Sequence, residues 1–284
     1  MEAIASAFEL ILVILTISSL LIVLLNKYLL SKYPKEKEGW LADYAKSLLP
    51  VFFIVLIIRS FLFEPFKIPS GSMLPTLRVG DFIFVNKFAY DVKWPIFWKH
   101  KIFKMGNPKR GDIVVFRWPV NPNVNFIKRL VGMPGDHISY INKRLSINGK
   151  VMPKKLVGSV YDSYLNKEYG FNEQKVNEYI TQNGDITHKI YNFPWAPNMP
   201  ADFKDFVVPS GHYFFMGDDR DGSEDSRYWG VVPEDHLVGK AVMIWMSVGD
   251  NYMPRWSRIG HILTGSDVKA LEIDKNKNIS KKTG

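Results

Sequence analysis

Residues 125–132 read NFIKRLVG, and side chains in this stretch alternate as they do in a β-strand. Alternation places Lys128 on the same face as Phe126 and Leu130. Arg129 projects from the opposite face. A lysine surrounded by apolar side chains should have a lowered pKa, because burial disfavours the charged ammonium. An ordinary strand whose lysine extends its charged end to solvent is the alternative.

Similar runs of β-branched and aromatic residues recur after residue 65, separated by turn residues. The runs are 81–85, 112–116, 126–131, 137–141, 212–216 and 239–246, with turn signals at 134–136, 148–149 and 183–184. This pattern predicts a mainly β fold, with an antiparallel β core made of residues 65–141 and 207–265. Residues 142–206 are richer in Asn, Lys and Tyr, and we expect them to form an inserted β-rich subdomain.

The composition excludes several kinds of chemistry. The 284 residues include no cysteine, which excludes a thiol nucleophile, a thiolate metal site, an iron–sulfur cluster and a disulfide. The formal net charge is +9, from 37 Lys and Arg against 28 Asp and Glu. Six basic and six acidic residues balance in residues 1–64, so the excess lies beyond them. Such a charge suits anionic lipid, an acidic partner or nucleic acid, and residues 266–284 form a basic tail expected to fray.

Residues 10–25 read LILVILTISSLLIVLL and carry no charge. Extended back to residue 3, this apolar run is long enough to cross a bilayer. A cleavable signal peptide is the alternative, but it requires a positively charged start. Here the start carries Glu2 and Glu9 and no basic residue. We therefore predict an uncleaved first transmembrane helix over residues 1–26.

A second apolar run, residues 48–63, reads LLPVFFIVLIIRSFLF. We interpret it as a second transmembrane helix over residues 48–64, with Arg59 reaching the headgroups. A buried core helix is the alternative, since the uninterrupted apolar part is short. The positive-inside rule places residues 27–47, with five lysines, in the cytoplasm. The rest of the chain then lies on the periplasmic or external side.

Residues 90–103 read YDVKWPIFWKHKIF and mix aromatic with basic side chains. One interpretation is a hairpin that packs its aromatic residues on the core. The other is a surface at the membrane interface that includes Trp94, Phe97 and Trp98, because Trp and Lys suit the headgroup region. Stacking on nucleic acid fits such a pattern less well once the domain is placed outside the membrane.

The stretch PSGSMLPTL, residues 69–77, holds two serines around a glycine, and a serine needs a nearby base to act as a nucleophile. None of the six histidines lies in a pattern that marks it as that base, which leaves Lys128 as a candidate. The loop GDDRDGSEDSRYWG, residues 217–230, alternates acids with arginines. It predicts internal ion pairs that present Ser223, with a solvated turn as the alternative. No histidine spacing indicates a metal, and no cofactor is expected.

Four stretches, in this order, resemble those of type I signal peptidases, also called leader peptidases: SGSMLPTL (70–77), RGDIVVF (110–116), KRLVGMPGD (128–136) and GDDRDGSEDSRYWGVVPE (217–234). The resemblance covers residues 50–140 and 207–262, behind two membrane helices as in the Gram-negative members. It implies a membrane-bound serine endopeptidase that removes N-terminal signal peptides from exported preproteins at small-x-small sites. It also implies a bacterial inner membrane location, a periplasmic catalytic domain, no nucleic acid partner, and the secretion machinery as a candidate partner.

The resemblance also implies roles for individual residues. The nucleophile falls on Ser72 and the general base on Lys128, which act through an acyl-enzyme. Ser70 falls on the hydroxyl that assists the oxyanion hole, and Ser223 on the hydroxyl that orients the lysine. The positions lining the shallow substrate pockets are Phe66, Ile68, Pro69, Leu77 and Ile127.

A structural ion pair is implied between Asp225 and Arg227, and one nearby position departs from the family. Asp219 stands where many members have Asn. A carboxylate near Lys128 would raise the pKa of that lysine, which is the wrong direction for a base. We therefore expect Asp219 to point away from Lys128, towards Arg220.

Two rival functions are weighed against this one. A Ser–Lys protease of the self-cleaving repressor type would use the same pair. The two predicted membrane spans argue against it, and so does the absence of a DNA-binding helix pair from the sequence pattern. A membrane-anchored β domain that binds a partner without catalysis is the rival of another class. It predicts that Ser72→Ala and Lys128→Ala variants keep their function, whereas a protease loses cleavage.

Overall fold

The structure is a computed structural model that describes residues 2–29, 40–57, 63–93, 101–170, 175–196, 202–249 and 251–263. The chain divides into two compact units, which are Met1–Glu64 with Asp91–Met105, and Pro65–Tyr90 with Gly106–Gly284. Long helices dominate the first unit and β-strands the second. The mainly β prediction is confirmed.

The helices are α1 (Glu2–Leu29), α2 (Trp40–Ile57), α3 (Ser163–Tyr169) and α4 (Ser226–Trp229). The strands are β1 (Phe63–Lys67), β2 (Asp81–Asn86), β3 (Asp91–Lys93), β4 (Lys101–Lys104), β5 (Ile113–Arg117), β6 (Asn125–Gly132), β7 (His137–Ile141), β8 (Arg144–Ile147), β9 (Lys150–Val151), β10 (Lys154–Val160), β11 (Val176–Asn183), β12 (Ile186–Asn192), β13 (Phe203–Val207), β14 (His212–Met216), β15 (Val232–Pro233) and β16 (Leu237–Ser247). All six runs predicted as strands are strands in the structure.

The first unit contains α1 and α2, which pack against each other. Within α1, Leu10–Tyr28 is long and apolar enough to cross a membrane, and among the described residues no other helix is. Helix α2 begins at Trp40 rather than at the predicted residue 48, because the polar segment before the apolar run is also helical. Residues 58–62, the end of the predicted second span, lie outside the described residues.

Strands β3 and β4 form an antiparallel hairpin in the same unit, and Lys101 Nζ lies 2.9 Å from an Asp91 carboxylate oxygen. A hairpin was predicted for this segment. Its residues 94–100, which include Trp94, Phe97 and Trp98, lie outside the described residues. The membrane-interface interpretation of those three side chains stays a prediction.

A seven-stranded sheet, in the order β1-β2-β16-β5-β6-β14-β15, forms the centre of the second unit. Strand β6 pairs antiparallel with β5, which sets Lys128 opposite Val114 and Arg129 opposite Ile113. Alternate residues of β5 belong to different buried clusters, so both faces of the sheet are covered. The two neighbouring cationic side chains therefore project from opposite faces of the sheet.

Residues 142–206 form most of two smaller sheets, β13-β7-β8-β9 and β10-β11-β12, together with α3. They belong to the same compact unit as the central sheet. Strand β7 pairs with β8 through a tight turn, in which Asn142 and Lys143 both have positive φ. The domain bounds at residues 141 and 207 stay a prediction.

Candidate active site

The segment between β1 and β2 carries the two candidate serines. It turns back on itself twice, as the Leu74 amide donates to the Gly71 carbonyl and the Leu77 amide to the Met73 carbonyl. Met73 and Leu77 are fully buried in the core and anchor the turn. Ser72 is 8% exposed, so its hydroxyl lies in a largely desolvated place.

Strand β6 brings Lys128 to this turn. Lys128 is 5% exposed, and its Nζ donates a hydrogen bond of 2.5 Å to Ser72 Oγ. Ser70 Oγ lies 3.5 Å from Ser72 Oγ and is itself exposed. The structure therefore brings together the three groups that the sequence assigned to nucleophile, base and oxyanion assistance.

Burial lowers the pKa of Lys128 from its ordinary value of 10.5 to about 8. Asp225 and Glu224 act in the opposite direction and raise this pKa, while Arg227 lowers it. Burial is the largest of these influences, so the lysine loses its proton much more readily than a lysine in water. A neutral amine beside a hydroxyl can act as a general base.

The acidic loop is held by an ion pair between Asp225 and Arg227, as the resemblance implied. Both side chains are fully buried, and Arg227 Nε and Nη2 each lie 2.8 Å from a carboxylate oxygen of Asp225. Burial alone would raise the pKa of Asp225, but Arg227 and the Gly217 amide outweigh it and hold that pKa below its ordinary value. The loop is thus a rigid, charged scaffold around Gly217.

Ser223 is buried beside Gly217 in this scaffold. A side chain at Gly217 would collide with the Ser223 hydroxyl and the Ser72 carbonyl, so only glycine allows this approach. In the part of the chain that the structure describes, Ser223 Oγ has no hydrogen-bond partner. A contact that orients Lys128 stays a prediction.

Asp219 does not pair with Arg220, which corrects our expectation for this residue. Its Oδ1 accepts a hydrogen bond from the Gly222 amide, whereas Arg220 Nε donates to the Gly217 carbonyl. Asp219 is fully buried, and burial raises the pKa of its carboxyl well above the ordinary value. Burial thus weakens the charge of this carboxyl, although Asp219 still acts to raise the pKa of Lys128.

Four of the five predicted pocket residues belong to one apolar cluster or pack against it. Ile68 and Leu77 are fully buried in a cluster with Met73, and Phe66 and Ile127 are half-buried against that same cluster. Pro69 is exposed next to Ser70. The half-buried members lie on β1, which precedes the serine segment, and on β6, which carries Lys128. Their role in binding substrate stays a prediction.

Sequence reasoning missed a second buried network next to the serine–lysine pair. Arg129 Nε and Nη2 bind the two carboxylate oxygens of Asp218 at 2.8 and 2.6 Å. Thr76 Oγ1 donates to the same carboxylate at 2.6 Å. The network joins the serine segment, β6 and the acidic loop. The signal was present, since an arginine on a buried strand face requires a carboxylate partner.

The C-terminal part of the described chain also supports the serine segment. Arg258 Nη2 donates to the Thr76 carbonyl at 2.9 Å and lies 2.5 Å from an Asp81 carboxylate oxygen. Ser247 Oγ donates to the other oxygen of that carboxylate at 2.6 Å. Asp81 begins the strand that follows the serine segment, so these contacts fix where that segment ends.

The family model and the sequence relatives of this chain agree. The family model described as signal peptidase, peptidase S26, matches residues 41–246. The chain is 46% identical over 241 residues to signal peptidase I of Pseudomonas fluorescens, covering 80% of this chain and 81% of that one. It is 47% identical to the Pseudomonas aeruginosa enzyme, with the same coverage. A crystal structure of signal peptidase I from Enterococcus faecalis matches at 28% identity and a TM-score of 0.30, covering 47% of this chain and 96% of that one.

The chain is thus a serine endopeptidase by class. It belongs to the type I signal peptidases of family S26. Membership in this family implies cleavage of signal peptides from preproteins, and α1 provides an apolar membrane anchor.

Proposed function

We propose that this chain is a membrane-bound signal peptidase that uses Ser72 as nucleophile and Lys128 as general base. The observation that carries the proposal is the 2.5 Å contact between Lys128 Nζ and Ser72 Oγ in a buried site. The lowered pKa of Lys128 supports it, because a base must be able to lose its proton near the working pH.

The reaction follows the acyl-transfer scheme. Neutral Lys128 takes the proton of the Ser72 hydroxyl as Oγ attacks the scissile carbonyl carbon. The tetrahedral oxyanion is held by the Ser70 hydroxyl and the Ser72 amide, and each such donor is typically worth about 2.7–4 kcal/mol. The lysine then gives its proton to the leaving amine. Water, deprotonated by Lys128, hydrolyses the resulting ester and releases the signal peptide.

Specificity for small-x-small sites follows from the apolar surface beside the pair. The half-buried side chains of Phe66 and Ile127 offer apolar contacts that suit the small side chains of secretory cleavage sites. Strand β1, which carries Phe66, is at the edge of the seven-stranded sheet. An extended preprotein segment can add to that edge as a further strand, which aligns its carbonyl with Ser72.

The membrane part of the proposal has two spans. Helix α1 is the first, and α2 with the residues after it is the second, so that the loop rich in lysines lies in the cytoplasm. The protein is then a multi-pass protein of the inner membrane with a periplasmic catalytic domain. Contact of Trp94, Phe97 and Trp98 with lipid would hold the site near emerging signal peptides and raise the effective substrate concentration.

Cleavage of a purified preprotein by the full chain in detergent tests the catalytic pair. Ser72→Ala and Lys128→Met should each abolish cleavage, while the matched surface changes Ser159→Ala and Lys150→Met should leave it normal. Circular dichroism of each variant checks that the fold survives. Normal processing by either site variant would overturn the proposal and favour a binding function.

The orientation has an independent test, because the chain contains no cysteine. A single cysteine is introduced as Ser159→Cys in the β domain or as Lys35→Cys in the loop between the two apolar runs. In spheroplasts, a membrane-impermeant maleimide should label the first variant directly and the second only after permeabilisation. The reverse pattern, or equal labelling in intact spheroplasts, would contradict a periplasmic catalytic domain.

A further inference from the structure

Helix α3, which lies within residues 142–206, contacts the turn that carries Ser72. Gly71 stands between the two serines, and a Cβ placed on it would lie 2.6 Å from Cε1 of Tyr164. Such a distance means that the edge of the Tyr164 ring packs directly on the Gly71 backbone. The ring is half-buried and so has little freedom to leave this position.

A second contact lies one residue further along α3 and three residues further along the serine turn. Leu165 and Leu74 are each 1% exposed and belong to the same apolar cluster, which also contains Val176, Tyr191 and Phe193 of the neighbouring strands. The cluster attaches α3 to the sheet on one side and to the serine turn on the other. The position of the turn therefore depends on that of the helix.

A third contact involves Asp162, the residue that caps the N-terminus of α3. Its Oδ1 accepts hydrogen bonds from the amides of Tyr164 and Leu165 at 3.1 and 3.4 Å. Its Oδ2 lies 3.2 Å from the guanidinium of Arg78, which directly follows the serine segment. Asp162 is buried and Arg78 about one third exposed, so this pair is shielded from water on one side.

We propose that α3 clamps the serine turn against Lys128, and that Tyr164 is a positioning residue for the attack by Ser72. The inference rests on the proposed function, since it concerns the same serine–lysine pair. The serine turn lies between β1 and β2 and contains the flexible residue Gly71. The backbone hydrogen bonds of the sheet therefore do not hold the turn in place. Contacts at Gly71, Leu74 and Arg78 hold its beginning, middle and end.

The physical consequence of losing the clamp is twofold. A displacement of the hydroxyl by about 1 Å from its attack position can slow a reaction about 10²-fold. A looser turn also admits water to Lys128, which weakens the desolvation that keeps its pKa low. A variant without the ring should therefore have a lower kcat and a higher apparent pKa, with little change in KM.

The experiment compares three variants of the full chain in detergent with the same preprotein. Tyr164→Ala should lower kcat at least tenfold, leave KM within about twofold, and move the acid limb of the pH–rate profile upward. Tyr164→Phe keeps the ring and should retain wild-type kinetics. Tyr161→Ala removes an exposed tyrosine just before the helix and serves as the matched control. A variant that is merely less stable would lose activity equally at all pH values.

A change on the other side of the contact gives a second, independent readout. Gly71→Ala should lower kcat, because the added methyl group meets the Tyr164 ring at 2.6 Å. Combining it with Tyr164→Ala removes that collision, so the double variant should be no slower than Tyr164→Ala alone. Fully additive losses would contradict direct packing.

Two results would overturn the clamp. One is a Tyr164→Ala variant with wild-type kcat and an unmoved acid limb, and the other is a Tyr164→Phe variant as slow as Tyr164→Ala. Both can occur while Ser72→Ala and Lys128→Met remain inactive, in which case only the clamp fails. If Ser72→Ala and Lys128→Met cleave normally, the proposed serine–lysine mechanism is wrong, and the clamp proposal that rests on it is wrong as well.

Discussion

Lys128 and Arg129 are neighbours on β6, and both side chains are almost fully buried, yet their hydrogen-bond partners differ. Arg129 is bound by both carboxylate oxygens of Asp218 and keeps its charge. Lys128 has a hydroxyl as its hydrogen-bond partner, and burial lowers its pKa to about 8. The comparison teaches that alternation along one strand is enough to separate a structural cation from a titratable one.

The largest expected loss of activity comes from replacing Lys128 with arginine, the residue type of its neighbour Arg129. Lys128→Arg should lower kcat/KM by about 10²–10⁴-fold, because a guanidinium stays charged in proteins and cannot accept a proton from Ser72. Preprotein cleavage at pH 8 measures this loss. Lys128→Met, which is neutral and of similar volume, separates the missing base from a disturbed fold. Normal activity of Lys128→Arg would contradict the claim that Lys128 must lose its proton to act.

The next effect concerns the paired cation. Arg129→Met leaves the Asp218 carboxylate buried without a counter-ion, and breaking such a pair typically costs about 3–5 kcal/mol of stability. Tryptophan fluorescence during chemical unfolding in detergent measures the change. Adding Asp218→Leu should restore much of the loss, since both charges are then absent. Arg144→Met, at an exposed position of β8, should change stability little.

A smaller effect concerns the charges that shift the pKa of Lys128. Glu224 is exposed and raises the pKa of Lys128. Glu224→Gln should therefore lower that pKa and move the acid limb of kcat/KM downward by a few tenths of a pH unit, less so at high salt. Glu168→Gln, an exposed change on α3, is the control. An upward shift of the acid limb in Glu224→Gln would show that the Glu224 carboxylate does not raise the pKa of Lys128.

The smallest kinetic effect is expected at Asp219, the buried carboxyl whose pKa burial raises. Asp219→Asn should move the acid limb of activity only slightly downward, because Asp219 is the smallest of the named influences that raise the pKa of Lys128. Stability should behave differently. The folded pKa lies above the unfolded one, so the wild type loses stability as pH rises from about 4 towards the folded pKa. The asparagine variant should lack this decline, and unfolding at pH 4, 6 and 8 measures the difference.

The strands were predictable because each is a local pattern of alternating or continuous apolar residues. Strand β6 illustrates this, since its bounds and the opposite faces of Lys128 and Arg129 follow from eight consecutive residues. The start of α2 was not predictable, because Asp43 and Lys46 give no apolar signal, although the segment is helical.

The candidate site was predictable only in part, for a different reason. Ser72 and Lys128 lie in motifs that identify them, but the partners that hold them in place are distant in sequence. The contact of Tyr164 with Gly71 spans 93 positions, and that of Arg129 with Asp218 spans 89. The sequence indicates that Arg129 needs a carboxylate partner, but only the folded chain identifies that partner as Asp218 and places Tyr164 on Gly71.

The Asp81–Arg258 contact has a consequence for the time at which a newly made chain can act. Arg258 supports the carbonyl of Thr76, close to Ser72, but it is synthesised 130 residues after Lys128. At about 5–20 residues per second, that interval lasts about 7 to 26 seconds. During it the ribosome has already produced the serine and the lysine, while the segment that fixes the serine turn does not yet exist. We therefore expect activity only after Arg258 has been synthesised and has bound Thr76 and Asp81.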